Sequence, residues 1–435
     1  MKEIITVDDL SDPIAGSPVY PIGSRVNEAG RLEVGGCDLV EIAAEFGTPA
    51  YVYAPEDIRA RARSFLDAFS RRTDSFEVLF ASKAAPVTAI YELCREAGLS
   101  VDVASGGELH MALRAGFDPE RIFMHGNNKT ERELRYAFES GVGCLVLDSF
   151  DEIARADALL DRPQRVLLRL TPGIKPSTHS HIQTGQLDSK FGFGLADGLA
   201  GRAVDAVDSS RNLELVGIHA HIGSQIFELE PYLEAIEAMA DFARDLGPEI
   251  INVGGGLGIA YAAEDQPPSI DRYVDVKVEG IRRLFERVPR ILIEPGRSLV
   301  GNAGVTIYRL GTVKEIPGVR TYVAVDGGMS DNLRPMLYDA RYEALIADRA
   351  GAVPDRRATV AGMHCESGDV LVRDAMLADP TVGDVLVTPA TGAYGYAMAN
   401  NYNGVPRPPV IFCEGGRAEL VVRRESWDDL MSRDV

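Results

Sequence analysis

Basic residues and cysteines are both scarce in this 435-residue sequence. Lysine and arginine total 45 against 65 aspartates and glutamates, a formal net charge of −20. A nucleic acid or an anionic membrane surface would repel such a chain, so neither is expected as a partner. Five cysteines (Cys37, Cys94, Cys144, Cys365 and Cys413) are scattered, odd in number and without metal-type spacing. That argues against a disulfide framework and suits reduced thiols in a cytoplasm. No uninterrupted apolar run approaches the roughly 20 residues a membrane-spanning helix needs. The opening MKEIITVDDLSDP has no apolar segment of the kind a secretory signal carries. The seven histidines include no HExxH-like pair. What is present is ordinary for a globular protein: 46% hydrophobic and 25% charged residues, in a chain long enough for two or three domains. The expectation is a soluble cytoplasmic protein.

From residue 76 onward, short apolar runs alternate with helix-compatible stretches. The runs are FEVLFAS (76–82), LSVDVAS (99–105), RIFMHG (121–126), CLVLDS (144–149), RVLLRL (165–170), ELVGIHAHIG (214–223), EIINVGGG (249–256) and RILIEPG (290–296). Between them, segments such as VTAIYELCREAG and PYLEAIEAMADFARDLG have helical apolar spacing and often stop at glycine. Eight such units predict an α/β fold, a (β/α)8 TIM-like barrel. An open doubly wound sheet also alternates, but it rarely runs to eight units without a glycine-rich turn at the first. Beyond residue 300, β-branched runs separated by Gly, Pro and Asp turns predict a β domain, a sandwich or barrel. The strand-and-turn character of the first residues suggests that they return to it. The expected division is therefore 1–45 joining the β domain, 46–299 the barrel and 300–435 the β domain.

In such barrels the site lies at the carboxyl ends of the strands. The first strand ends near Lys83, either a snorkelling lysine or a reactive amine. The sixth carries His219 and His221, which two-residue spacing puts on one face; they suit a metal or a flat stacking partner, although no carboxylate or cysteine lies near in sequence to complete a metal site. The seventh ends in Gly254, Gly255 and Gly256, either a tight turn or a phosphate cradle of bare backbone. The eighth ends in Glu294, Gly296 and Arg297, either a surface ion pair or partners for a cationic ring nitrogen and an anion. Together a lysine, an anion cradle, a carboxylate and an imidazole fit pyridoxal 5'-phosphate. Three further patterns have plain readings as loops, packing or turns: His181–Lys190, the His364–Asp369 run around Cys365 and Glu366, and the run from Gly392 through Tyr394 to Asn403.

The stretches FASKA, DVASGGEL, HGNNKT, HIQTGQLDSKFGF, GIHAHIGSQ, VGGGLGI, EPGRS, HCESGD and GAYG span almost the whole chain. In them the sequence resembles the diaminopimelate decarboxylases, of the alanine racemase-like fold type III of pyridoxal phosphate enzymes. The resemblance implies a homodimer with active sites shared between one subunit's barrel and the other's β domain. It implies Lys83 as the Schiff-base lysine and His221 as the stacking ring. Ser224, the three glycines and Tyr394 would hold the phosphate, beside Gly296 and Arg297, with Glu294 at the ring nitrogen. Arg297, Arg334, Tyr338, Tyr394 and Glu366 would bind an amino-acid substrate, and Cys365 would donate a proton. No metal is implied. Arg334, Tyr338 and Glu366 favour a substrate with both charge types at its far end, hence meso-diaminopimelate over D-ornithine, lysine, carboxynorspermidine or a carrier-bound amino acid; a non-catalytic regulatory relative is disfavoured because Lys83 and Cys365 are both present. FASKAAP departs from the many relatives with an asparagine near the lysine.

Overall fold

A computed structural model describes residues 12–174 and 189–435. Most of the loop after the fifth strand, residues 181–188, lies outside them. By contacts the chain divides into two compact units: 59–258 with 266–299, and residues up to 58 with 259–265 and 300–435.

The first unit is a closed barrel. Its strands are β1 (Phe76–Ala81), β2 (Ser100–Val103), β3 (Ile122–Met124), β4 (Cys144–Leu147), β5 (Gln164–Thr171), β6 (Leu213–His219), β7 (Ile250–Asn252) and β8 (Arg290–Ile293). Each pairs in parallel with the next, and β8 returns to β1 through Ile293 and Val78. All eight strands read from the sequence are there. Their near-continuous apolar runs suit strands covered on both faces. Leu79, Phe123, Cys144, Val146, Leu167, Val216, Ile250 and Leu292 pack into one cluster, which buries the Cys144 thiol among aliphatic side chains.

Helices α1 (Thr88–Glu96), α2 (Gly106–Arg114), α3 (Glu131–Ser140), α4 (Phe150–Leu159), α5 (Leu199–Asp208), α6 (Glu230–Ala243) and α7 (Ile270–Leu284) return the chain between strands. Ser105, Thr130, Ser149 and Ser269 cap four of them, each side chain accepting an otherwise unpaired backbone N–H of the first turn. These caps set where each strand-to-helix turn ends. The barrel's site residues read from the sequence lie on the turns after β1, β6, β7 and β8.

In the second unit Gly304–Ile316 is the longest strand. It pairs antiparallel with Arg320–Val325, Val385–Thr388 and Ala50–Tyr53. Ala50–Tyr53 pairs in turn, in parallel, with Val410–Glu414. The segment before the barrel thus lies inside the sheet built by the segment after it. One core cluster of this unit runs from Val19 and Leu32 through Val52 and Val305 to Ile411.

Candidate active site

Glu294 follows the last residue of β8 and is buried. Three other strand ends converge on it. Asn252, ending β7, donates from Nδ2 to Glu294 Oε1 at 2.6 Å. His219, ending β6, places Nε2 3.2 Å from Oε2. His125, just beyond β3, places Nε2 2.9 Å from Oε1 and 3.9 Å from Asp102 Oδ1 on β2. Burial opposes charge on Glu294, but the imidazoles of His125 and His219 outweigh it and hold the carboxyl well below the usual range. Burial likewise opposes a proton on His125, yet Asp102 and Glu294 raise its pKa. His219 is pushed down to about 4, burial overcoming the attraction of Glu294. Asp102 is pushed up to about 6 by burial, against the pull of His125. The site therefore holds an ionised Glu294 beside a neutral His219 and a His125 whose charged form Asp102 and Glu294 favour.

The glycine run beside it is built by close approach. A Cβ on Gly255 would sit 2.1 Å from the Glu294 carbonyl oxygen, and one on Gly256 would sit 2.5 Å from that of Gly223. Gly254 and Gly256 also take φ of +60° and +105°, where a side chain is strained. The Gly255 N–H points at His221 Nδ1, 3.3 Å away. Removal from water, then the positive charge of Lys83, push the His221 pKa well below its ordinary value. Its Nδ1 therefore accepts, and the ring proton sits on Nε2. His219 and His221 thus serve different partners, because β6 ends at His219 and the two-residue alternation stops there. Among the described residues, the groups whose ligand atoms do converge, within 4.8 Å, are His125, His219 and Glu294.

Lys83 lies two residues past β1, exposed, in the single turn Ser82–Ala84. Ser82 Oγ donates to Glu108 Oε2 at 3.0 Å, and the Ala104 N–H donates to the same oxygen at 2.7 Å, tying that turn to the next. Ala81 and Ala84 are small because Gly296 lies against them: a Cβ there would be 3.0 and 3.1 Å from theirs. Arg297 is buried and donates from Nε and Nη2 to Ser224 Oγ at 3.2 and 3.0 Å. Lys83, His221, Ser224, Gly254–Gly256, Glu294, Gly296 and Arg297 all lie on turns at the carboxyl ends of the barrel strands.

The other residues expected at the site belong to the second unit. Arg334 is buried, donates to the Tyr342 hydroxyl and stands 4.6 Å over the Tyr261 ring. Tyr338, half-buried, ends the short helix Arg334–Tyr338. Cys365 and Glu366 are exposed on a turn held by Asp369, which accepts from the His364 N–H at 2.9 Å and meets His364 Nδ1 at 2.8 Å. The Cys365 N–H donates to Asn403 Oδ1 at 3.2 Å. Cys365 is the one exposed thiol of the five; the others are buried. Tyr394 adopts φ of +63°, a conformation uncommon outside glycine.

Sequence reading missed His125, Asp102, Asn252 and Lys277. Lys277 is buried in α7, with Nζ 2.8 Å from the Val253 carbonyl. HGNNKT and DVAS did contain the first two, but nothing local marks a residue whose partner is a strand end far along the chain.

The groups at the barrel mouth fit pyridoxal phosphate. An ionised buried carboxylate suits a protonated ring nitrogen, and bare backbone beside a guanidinium and a hydroxyl suits a phosphate. Residues 55–301 match the family model for the pyridoxal-dependent decarboxylase, pyridoxal binding domain. The diaminopimelate decarboxylase of Bacillus subtilis is 48% identical over 95% of this chain and 97% of its own. That of Staphylococcus aureus is 43% identical over 94% and 99%. The crystal structure of diaminopimelate decarboxylase from M. jannaschii in co-complex with L-lysine superposes with a TM-score of 0.89 at 33% identity, covering 97% of this chain and 99% of that one. With a barrel of this topology, these mouth residues and this likeness along its whole length, the chain belongs to the diaminopimelate decarboxylase family of pyridoxal-dependent decarboxylases.

Proposed function

We propose that this chain is a pyridoxal phosphate-dependent carboxy-lyase that removes the D-centre carboxylate of meso-2,6-diaminopimelate, giving L-lysine and CO2. The observation that carries the reading is Glu294, a buried carboxylate held ionised by His125 and His219 on the strand next to that of Lys83. L-lysine, the product expected here, is also what the M. jannaschii relative is described with.

When bound, the cofactor supplies an electron sink for the pair left behind as CO2 departs. Lys83 holds it through its ε-amine. Glu294 keeps a proton on its ring nitrogen, since an ionised carboxylate favours the cationic ring. His221, its Nδ1 taken by the Gly255 N–H, would offer the cofactor a neutral imidazole as stacking partner. Ser224, Gly254–Gly256, Gly296 and Tyr394 bind the phosphate end. Arg297, Arg334 and Tyr338 clamp substrate carboxylate with the help of Tyr394, and Glu366 meets the distal ammonium. Such clamps fix which bond to the α-carbon can break. Cys365 donates the proton that replaces CO2, acting as a general acid.

The same reading makes the protein a cytoplasmic homodimer, with the barrel of one subunit completed by the β unit of its partner. Among the described residues no helix is long and apolar enough to cross a membrane. CO2 release from meso-diaminopimelate, lysine and ornithine tests the substrate. Mass analysis of the borohydride-reduced peptide containing Lys83 tests the lysine. A preference for lysine or ornithine, or a label on another residue, overturns the corresponding part.

A further inference from the structure

Lys277 has no ordinary reason to be where it is. It projects from α7 and is wholly buried. Its Nζ donates to the carbonyls of Val253 at 2.8 Å and Gly254 at 3.2 Å. The rings of Tyr232 and Tyr273 flank it at 4.5 and 4.4 Å. Among the described residues no carboxylate pairs with it. A lysine buried this way is expensive to keep, and an apolar side chain of the same length would fill the space.

Its neighbour on α7 continues the pattern. Tyr273 donates from its hydroxyl to the Gly255 carbonyl at 3.0 Å. Three successive carbonyls of the turn after β7 therefore each have a donor from one helix, that of Gly254 accepting from the Glu294 N–H as well, at 3.1 Å. In a trans peptide the N–H points away from the carbonyl of the same unit, so the N–H groups of Gly254, Gly255 and Gly256 face the other way. Two of them show it. The Gly254 N–H meets Asn252 Oδ1 at 3.0 Å, and the Gly255 N–H meets His221 Nδ1 at 3.3 Å.

We propose that Lys277 is a positioning residue for the cofactor's phosphate: it fixes the peptides of the Val253–Gly256 turn with their N–H groups toward the barrel mouth and sets a positive charge behind them. The inference rests on the pyridoxal phosphate reading above and extends it to a residue that does not touch the cofactor. Burial drives this amine toward its neutral form. An anion on the far side of the turn favours the charged form, so phosphate and ammonium stabilise one another through the intervening peptides.

Pyridoxal phosphate and pyridoxal, which lacks the phosphate, separate this role from simple packing. Each is titrated into the apo forms of the wild-type protein and Lys277→Met, which keeps side-chain length and removes the donor and charge. The expected result is a loss of about tenfold or more in affinity for pyridoxal phosphate with that for pyridoxal unchanged, so the ratio of the two falls. The phosphorus-31 resonance of the bound cofactor should move as well. An unchanged ratio, whether both affinities hold or both fall together, overturns the proposal. If Lys277→Met does not fold, Tyr273→Phe decides: loss of the hydroxyl on the Gly255 carbonyl should lower the ratio severalfold, and an unchanged ratio overturns the proposal. A wild-type protein that takes up no pyridoxal phosphate overturns the cofactor reading and this inference together. Uptake with an unaltered ratio overturns this inference alone.

Discussion

Asn252 ties Glu294 to the glycine turn. Its amide donates to Glu294 Oε1 at 2.6 Å while its carbonyl accepts from the Gly254 N–H at 3.0 Å. One side chain thus sets both the carboxylate and the first peptide of the cradle, so neither shifts without the other.

Asn252→Ala should leave a buried carboxylate oxygen and a buried N–H each short of a partner. The expected cost is about 1–3 kcal/mol of stability for the Gly254 N–H left unpaired, while Oε1 keeps His125 Nε2 at 2.9 Å. Cofactor affinity should weaken at the same time. Thermal unfolding of the cofactor-free protein and a pyridoxal phosphate titration measure the two. A variant changed in only one would break the link drawn between them.

Gly255→Ala tests the close approach at β8. The added methyl meets the Glu294 carbonyl oxygen at 2.1 Å, and both atoms' backbones are fixed by barrel pairing nearby. Overpacking of this kind costs about 1–3 kcal/mol, and the forced shift moves Glu294. A lower melting temperature together with lost decarboxylation is expected. Unaltered activity would mean that the turn gives way without disturbing the acid.

The charge pattern around Glu294 predicts a particular response to acid. His219, at about 4 when folded, lies below its unfolded value of about 6.5. Its contribution is complete above the unfolded value and is lost as pH falls from there toward about 4, because only the unfolded chain takes up the proton. At about 1.4 kcal/mol per unit the loss is at most about 3–4 kcal/mol. Asp102, raised to about 6, runs the other way: its folded form gains a proton first, so its contribution diminishes as pH rises through that range. His219→Asn removes the first effect and leaves the second. The melting-temperature gap between wild type and variant should therefore narrow from about pH 7 to about pH 5. A gap that stays constant or widens contradicts a neutral buried His219.

The proposed sharing of sites between two subunits predicts complementation. Lys83→Ala and Cys365→Ala should each be inactive alone. Mixed, dissociated and reassociated in equal amounts, they should recover about a quarter of wild-type activity, since half the dimers carry one intact site of two. No recovery, despite subunit exchange shown by mass labelling, would mean that each subunit supplies both residues to its own site.

Legibility in the sequence followed the range of the interactions. The barrel strands could be found because each is a local apolar run, and closure followed from their number. The glycine turn, Glu294 and Lys83 stood out because strand ends are where barrel chemistry sits. His125, Asp102, Asn252 and Lys277 could not be found this way. Their significance comes from one carboxylate, which closure of the barrel brings to the first three, and from two carbonyls of the β7 turn, on which α7 lays Lys277. The pairing of His219 with His221 misled for a related reason. Alternation along a strand holds only while the strand lasts, and β6 stops between them.

The strand Ala50–Tyr53 has a consequence for how the chain is made. Tyr51 pairs with Thr306 on one side and with Val410 on the other. A ribosome delivers residue 51 before the barrel strands and residue 410 after them, so this apolar segment waits unpaired while the whole barrel is synthesised. The barrel can close as soon as β8 has emerged, since β8 completes it against β1. The β unit cannot, because its two-sided partner set is finished only near the C-terminus. Newly made chains should thus pass through a stage with a folded barrel and an exposed N-terminal strand, open to holding by chaperones or to pairing with another chain's edge.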